Sequence, residues 1–473
     1  MKRLAASALA ALGGVAQTLS QAPFDWAWLL PMGLVCWLVG LRVAPVAASF
    51  GFGLGLYASG AHWVWISIHD VAQTPFVIAA LLQGAFILGL AGLFALNGWF
   101  YRRLHPLSDW IRFPGLVLIS ELIRSYFLTG FPWLLAGYAA LDTPYQTLAP
   151  LIGVYGLSAL AGIAAVALAR RSWLLVPLAA LAWVPSVSWT QPQDTRSFNL
   201  VQGNIPADKK WDPDWRERII DRHLALTLDN PADIIIWSEA ALPLLNQSAD
   251  QFFQQLGEAL PDSAIVSGRL IAGPKDRLPR YYNAMAGTGL AQGADYKSRL
   301  VPFGEYMPLE RWLRGLIDFF DLPLSTIIAG QSSEPLQLDG WQPGSLICYE
   351  VAYPGLAWQV GRDSEILLSV SNDAWFGSSI ARDQHLQMAR MRALELGRPM
   401  LRATNDGITA HIATNGQVLA QLPNFTHAAL RGEVQAVAGR TPYGWIGPWP
   451  WLAIASGLLI WALIAVPLRR RDR

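Results

Sequence analysis

The sequence predicts a polytopic α-helical membrane bundle of about eight spanning helices that carries one α/β domain. Three observations lead there. Hydrophobic residues make up 53% of the 473 and charged residues only 15%, against roughly 25% charged in an average soluble chain. The depletion is uneven: residues 1–190 are almost wholly apolar, whereas 195–440 have the composition of a soluble domain. Finally, the apolar part divides into windows of bilayer length, and the rest into short β-rich runs separated by helical stretches.

A spanning helix needs about 20 mainly apolar residues. Windows of that kind lie at 4–21, 24–42, 47–68, 74–101, 111–128, 146–169, 172–189 and 448–468. The chain thus divides into a seven-span bundle at 1–190, a domain at 195–440 and a C-terminal span at 448–468. Basic residues fall at Lys2 and Arg3, Arg42, Arg102 and Arg103, Arg170 and Arg171, and Arg469 to Arg471 with Arg473. They precede the first window or follow an even-numbered one, so the positive-inside rule puts both termini in the cytoplasm and 190–447 outside. Trp26, Trp28, Trp110, Trp133, Trp445, Trp449 and Trp451 flank the windows, as an interfacial aromatic belt would. The first window also fits a cleaved signal peptide, which leaves the domain on the same side. Glu121 and Arg124, one helical turn apart, read either as a structural pair or as a functional intramembrane charge pair. His62 and His69 read as interfacial, and no His/Cys cluster has metal-site spacing.

In the domain, apolar runs recur at 198–202, 233–237, 264–268, 345–348 and 366–370, with helical stretches such as 214–229 and 382–397 between them. Near-continuous runs such as Ile234-Ile235-Ile236 imply buried strands, in sheets covered on at least one face. The net charge of +1 gives no case for nucleic acid. There is no internal repeat, phosphate-cradling glycine loop or Gly-x-Ser-x-Gly elbow.

Only two cysteines are present, and Cys36 lies in an apolar window out of reach of Cys348. Cys348, placed in a strand running through 345–350, reads either as a nucleophile or as a small buried hydrophobe. Its company bears on the choice. Glu239 ends the 234–236 run, and Lys297 lies in a loop with Glu305 eight residues on. A thiolate to attack a carbonyl, a carboxylate to take its proton and an ammonium to hold the oxyanion make a complete acyl-transfer set.

The order Glu, Lys, Cys with these flanks resembles the nitrilase (carbon-nitrogen hydrolase) superfamily. The words Val201-Gln202-Gly203-Asn204-Ile205-Pro206, Lys210-Trp211-Asp212, Pro302-Phe303-Gly304-Glu305-Tyr306, Cys348-Tyr349-Glu350, Ser371-Asn372-Asp373-Ala374-Trp375-Phe376-Gly377 and 387–393 are similar to its membrane branch, the apolipoprotein N-acyltransferases. The resemblance covers nearly the whole chain. It implies a nitrilase-like αββα sandwich in the periplasm of a multi-pass bacterial inner-membrane protein. The implied donor is a phospholipid, usually phosphatidylethanolamine, and the implied acceptor is a diacylglyceryl apolipoprotein. No metal or other cofactor is implied, and a monomer is the default. Glu239 maps to the general base, Lys297 to the catalytic lysine and Cys348 to the nucleophile. Glu305, Tyr349 and Glu350 map to active-site support; Trp211, Asn283 and Arg314 map to substrate binding. Two rivals stay open: a membrane-anchored amidase using the same triad with water as acceptor, and a scaffold with an inactive domain. The apolar stretch 311–330 and the Trp211 loop favour the lipid-facing reading over the first, and the intact triad disfavours the second.

Overall fold

Small residues set the packing of the first helices. The computed structural model describes residues 1–274, 280–302, 304–306, 327–331 and 334–464. They form two units, one of Met1–Val187, Ser378–Gln387 and Trp445–Arg473, the other of Ser188–Gly377 and Met388–Gly444.

In the first unit, helices α1 (Lys2–Leu19), α2 (Leu29–Val43) and α3 (Pro45–Gly60) approach backbone to backbone. A Cβ on Gly13 would lie 2.4 Å from the Gly33 carbonyl oxygen, and one on Gly55 would lie 2.0 Å from that of Ala11. This is the small-residue packing that apolar helices use when side-chain burial cannot drive association. Then follow α4 (Phe76–Arg103), α5 (Asp109–Tyr126), α6 (Ala149–Ala169), the short α7 (Leu175–Ala180) and, after the domain, Trp449–Ile464. Among the described residues, Phe76–Arg103 and Pro144–Ala169 are long and apolar enough to cross a membrane, and Leu29–Val43 and Trp449–Ile464 are shorter apolar helices.

Two windows depart from expectation. The third, 47–68, is helical only to Gly60 before an irregular turn and a π-helical segment at Ile66–Val71. The seventh, 172–189, holds the six-residue α7 and a 3₁₀ turn at Leu181–Trp183, not a spanning helix. Pro185 lies two residues past that turn, and proline disfavours helix both at its own position and at the residue before it. Glu121 and Arg124 do pair, at 3.1 Å. Glu121 Oε1 also accepts from the Ala136 amide at 2.8 Å, and Arg124 Nη1 donates to the Leu134 carbonyl at 3.2 Å, so the pair fastens a buried loop. His385 stacks on Trp133 with ring centroids 5.7 Å apart.

The second unit is built on two main sheets. The larger has β1 (Gln191–Gln202) between β14 (Ala428–Ala438) and β2 (Ile234–Trp237), then β3 (Ala264–Ala272), β4 (Tyr281–Gly289) and β6 (Ala294–Tyr296), with β7 (Ile327–Ile328) on β4. The smaller runs β13 (Val418–Gln421), β12 (Ala410–Ile412), β11 (Met400–Thr404), β10 (Ile366–Ser371), β9 (Pro343–Ile347). A two-stranded ribbon pairs β5 (Ala291–Gln292) with β8 (Gln337–Leu338).

The alternation of side chains along each strand explains the layers. Ile234 and Ile236 join Phe198, Leu200, Val266, Leu368, Val370 and Leu401 in one core between the sheets. Ile235 and Trp237 face the other way, into a second core with Ile219 of α8 (Arg216–Leu228) and Phe253 and Leu256 of α9 (Asn246–Ala259). On the outer face of the smaller sheet, Leu367 reaches both Gly361 of α10 (Pro354–Gly361) and the neighbourhood of Leu396. Helix, sheet, sheet, helix is the expected αββα sandwich.

Candidate active site

The reactive residues all leave strands at one register level. β2 pairs in parallel with β1 and β3, Trp237 lying opposite Val201 and Ser267, so Glu239 emerges just past the carboxyl end of β2. Lys297 follows β6 and its amide donates to the Asn283 carbonyl at 2.8 Å. In the other sheet Ile347 lies opposite Val370, which brings Cys348 level with Ser371. Loops at strand ends carry chemistry because the sheets beneath them are rigid.

Cys348 does not lie inside a strand. β9 stops at Ile347, and Cys348 opens a 3₁₀ turn, Cys348–Ala352, with φ +53°. A non-glycine residue pays for that region of backbone space, and such strain persists only where surrounding bonds over-determine it. Glu350 supplies those bonds. Its Oε2 accepts from the Ile347 amide at 2.9 Å, and its Oε1 accepts from the Ser298 amide (2.7 Å), the Ser298 hydroxyl (2.9 Å) and the Arg299 amide (3.1 Å). One buried carboxylate thus clasps the cysteine turn to the loop that follows Lys297. Tyr349, also buried, packs edge-on against Tyr353 at 5.3 Å.

Lys297 is 1% exposed and its ammonium lies between two carboxylates, 3.1 Å from Glu239 Oε1 and 2.7 Å from Glu305 Oε1. Burial alone would depress this ammonium; Glu239 and Glu305 outweigh it and hold it well above the ordinary lysine value. Asn283 donates its amide to the same two oxygens, at 2.7 Å and 3.4 Å. The Asn372 amide donates to Glu239 Oε2 at 2.8 Å, and the Val301 amide to Glu305 Oε2 at 2.8 Å. Both carboxylates are therefore fixed in orientation. Burial pushes the Cys348 thiol well above its usual range; Glu239 and Asp373 push the same way, while the Lys297 ammonium and the Ser371 hydroxyl oppose. The resting nucleophile is a neutral thiol that needs a base at the moment of attack.

The structure brings together Glu239, Lys297, Glu305, Asn283, Cys348, Tyr349 and Glu350. Asn283, assigned to substrate by resemblance, has its amide on the carboxylates. Trp211 is 49% exposed and outside this hydrogen-bonded cluster. Arg314 lies outside the described residues. Sequence reasoning passed over the backbone amide of Asn372 and the side chain of Asn405, which donates to Asn372 Oδ1 at 3.1 Å and to the Ile205 carbonyl at 2.8 Å. Asn372 and Asn405, each followed by an aspartate just past an apolar run, were the available signal, since Asn commonly fastens tight turns.

Residues 13–169 match the family described as Apolipoprotein N-acyltransferase N-terminal domain, and 199–443 match Carbon-nitrogen hydrolase. The chain is 41% identical to an Apolipoprotein N-acyltransferase of Azotobacter vinelandii across 98% of this chain and 95% of that one. Similar relatives of the same name occur in Pseudomonas aeruginosa (38%; 98% and 97% covered) and Vibrio vulnificus (36%; 97% of each). The chain belongs to the apolipoprotein N-acyltransferase family. It is an N-acyltransferase whose catalytic unit has the carbon-nitrogen hydrolase fold, and its bacterial relatives match it across both units.

Proposed function

We propose that this enzyme moves a fatty acyl chain from a phospholipid to the α-amino group of the N-terminal diacylglyceryl-cysteine of an apolipoprotein, by way of a thioester on Cys348. The observation that carries the reading is the Lys297 ammonium held between Glu239 and Glu305 in the electrostatic field of a buried thiol. Cys348 Sγ attacks the ester carbonyl as Glu239 takes the thiol proton, and Lys297 stabilises the tetrahedral oxyanion. Collapse breaks the ester C–O bond, and Glu239 returns the proton to the departing lysophospholipid oxygen. In the second half the amine attacks the thioester, Glu239 takes an amine proton, and the Cys348 thiolate leaves and is reprotonated. Glu305 and Asn283 hold the base and the cation in place, and Glu350 and Tyr349 hold the nucleophile's turn.

The donor class is tested by intact-protein mass spectrometry after incubation with phosphatidylethanolamine alone. A hydroxylamine-sensitive fatty-acyl addition, missing in Cys348→Ala, is expected. Folded enzyme in lipid that gains no mass would remove the phospholipid donor and the ping-pong order together.

The proposal includes a multi-pass inner-membrane protein with both termini cytoplasmic and the catalytic unit periplasmic, supported by the basic residues at 2–3, 42, 102–103, 170–171, 469–471 and 473. Because α7 is short, the chain between Arg171 and Thr190 is where this topology is most exposed to test. A periplasm-dependent phosphatase fused after Thr190 is expected to be active and one fused after Arg171 inactive. The reverse pattern would place the catalytic unit in the cytoplasm.

A further inference from the structure

Lys210 is a buried cation for which the reaction above has no use. It lies between the 3₁₀ turns Ala207–Lys209 and Pro213–Trp215, directly before the exposed Trp211, and is itself only 4% exposed. Its Nζ donates to the Ala241 carbonyl at 2.9 Å. Ala241 is two residues past Glu239, and Ala240 between them has φ +44°, a region that disfavours any side chain. The turn that presents Glu239 is thus a strained one, fastened by Lys210 and by the Ala241 amide on the Gly268 carbonyl at 3.0 Å.

Lys210 lies beside the carboxylate cluster of the site. Among the described residues, Glu239 and Glu305 both pair with the ammonium of Lys297. Glu239 also faces the Asn283 amide, the Asn372 N–H and the Cys348 thiol, none of them a cation. The charged groups acting on Lys210 are Glu239 and Asp406. His223 of α8 lies nearby too, but burial holds it neutral, down at about 3.

We propose that Lys210 is a positioning residue for acyl transfer, holding the Glu239 turn through Ala241 and keeping Glu239 ionised as the base for Cys348. The inference rests on the acyl-transfer reading. Burial draws the Lys210 ammonium down to about 8, against Glu239 and Asp406, so it is charged at neutral pH and loses its charge in mild alkali.

The test follows the pH dependence of Cys348 acylation by a short-chain p-nitrophenyl ester, a donor that needs no lipid recognition, together with each variant's melting temperature. Lys210→Met is expected to move the acid limb of kcat/KM upward by roughly one pH unit, because an opposite charge that favoured the Glu239 carboxylate is gone. Lys210→Gln keeps a donor but no charge and is expected to shift the limb likewise. Lys210→Arg, which keeps the charge, is expected to leave the acid limb in place. An unshifted acid limb in Lys210→Met or Lys210→Gln overturns the proposal, whatever the rate. Should Lys210→Met fail to fold, Lys210→Gln decides the same point. Failure of the phospholipid reading is seen separately, as a normal ester profile with no adduct from phosphatidylethanolamine.

Discussion

Cys348→Ser is expected to lose turnover by at least about 10³-fold while melting within a few degrees of the parent enzyme. The two side chains differ by one atom, both pay the same backbone cost at φ +53°, and the clasp from Glu350 to Ile347, Ser298 and Arg299 does not involve the thiol. The fold therefore has little reason to respond. The chemistry has every reason. Burial already lifts the thiol well above its usual range, so Glu239 must draw the proton off as the carbonyl is attacked. A serine hydroxyl is a far weaker acid than a thiol, and the same base faces a much steeper transfer. Rates of lysophospholipid release and of N-acylation, measured beside the melting curve, check this. A serine variant within tenfold of the parent would sink the thioester route, and a collapsed melting temperature would show Cys348 to be a packing residue.

What could be read in the sequence followed physical contrast along the chain. Ile234 to Ile236 announced a buried strand, and the structure adds that it is covered on both faces, by the inter-sheet core and by the layer under α8 and α9. Glu239 stood out at the end of an apolar run, Lys297 in a loop and Cys348 as an isolated thiol; that Cys348 lies just past its strand and not inside it came from the structure. The helix expected at 382–397 differs by a residue at each end from Ala381–Leu396. Hydropathy failed at 172–189 because it counts apolar side chains and is blind to Pro177 and Pro185. It failed past Gly60 for a related reason, since nothing in an apolar count marks where a helix stops. The left-handed turn at Cys348 is set by Glu350 accepting from amides about fifty residues upstream, a tertiary effect no local propensity carries. Lys210 stood in the word Lys210-Trp211-Asp212 without a role of its own; its burial and its bond to the Ala241 carbonyl make it informative.

Lys297→Met is expected to cost about 10²–10³-fold in kcat and about 3 kcal/mol of stability, a coupled pair of losses that distinguishes a buried catalytic cation from a surface lysine. With the ammonium gone, Glu239 and Glu305 face one another across the space it filled, both held as acceptors by the Asn372 and Val301 amides. Like charges in a buried site cannot both stay ionised, so one carboxyl of the pair titrates at a raised value in the folded variant. A folded-state value above the unfolded one means that stability is present below the unfolded carboxylate range and is lost as pH rises through the raised value. The variant is therefore expected to melt higher at pH 5 than at pH 8. The parent, whose Lys297 is held above the ordinary lysine value, gains from that ammonium throughout this interval. Adding Glu305→Gln to Lys297→Met removes the repulsion and is expected to restore most of the melting temperature at pH 8 with no return of acyl transfer. Stability and activity would then separate, as they must if Lys297 both neutralises the carboxylate pair and stabilises the oxyanion. A double variant that regained activity along with stability would leave Lys297 a purely structural cation and move the oxyanion's stabilisation elsewhere.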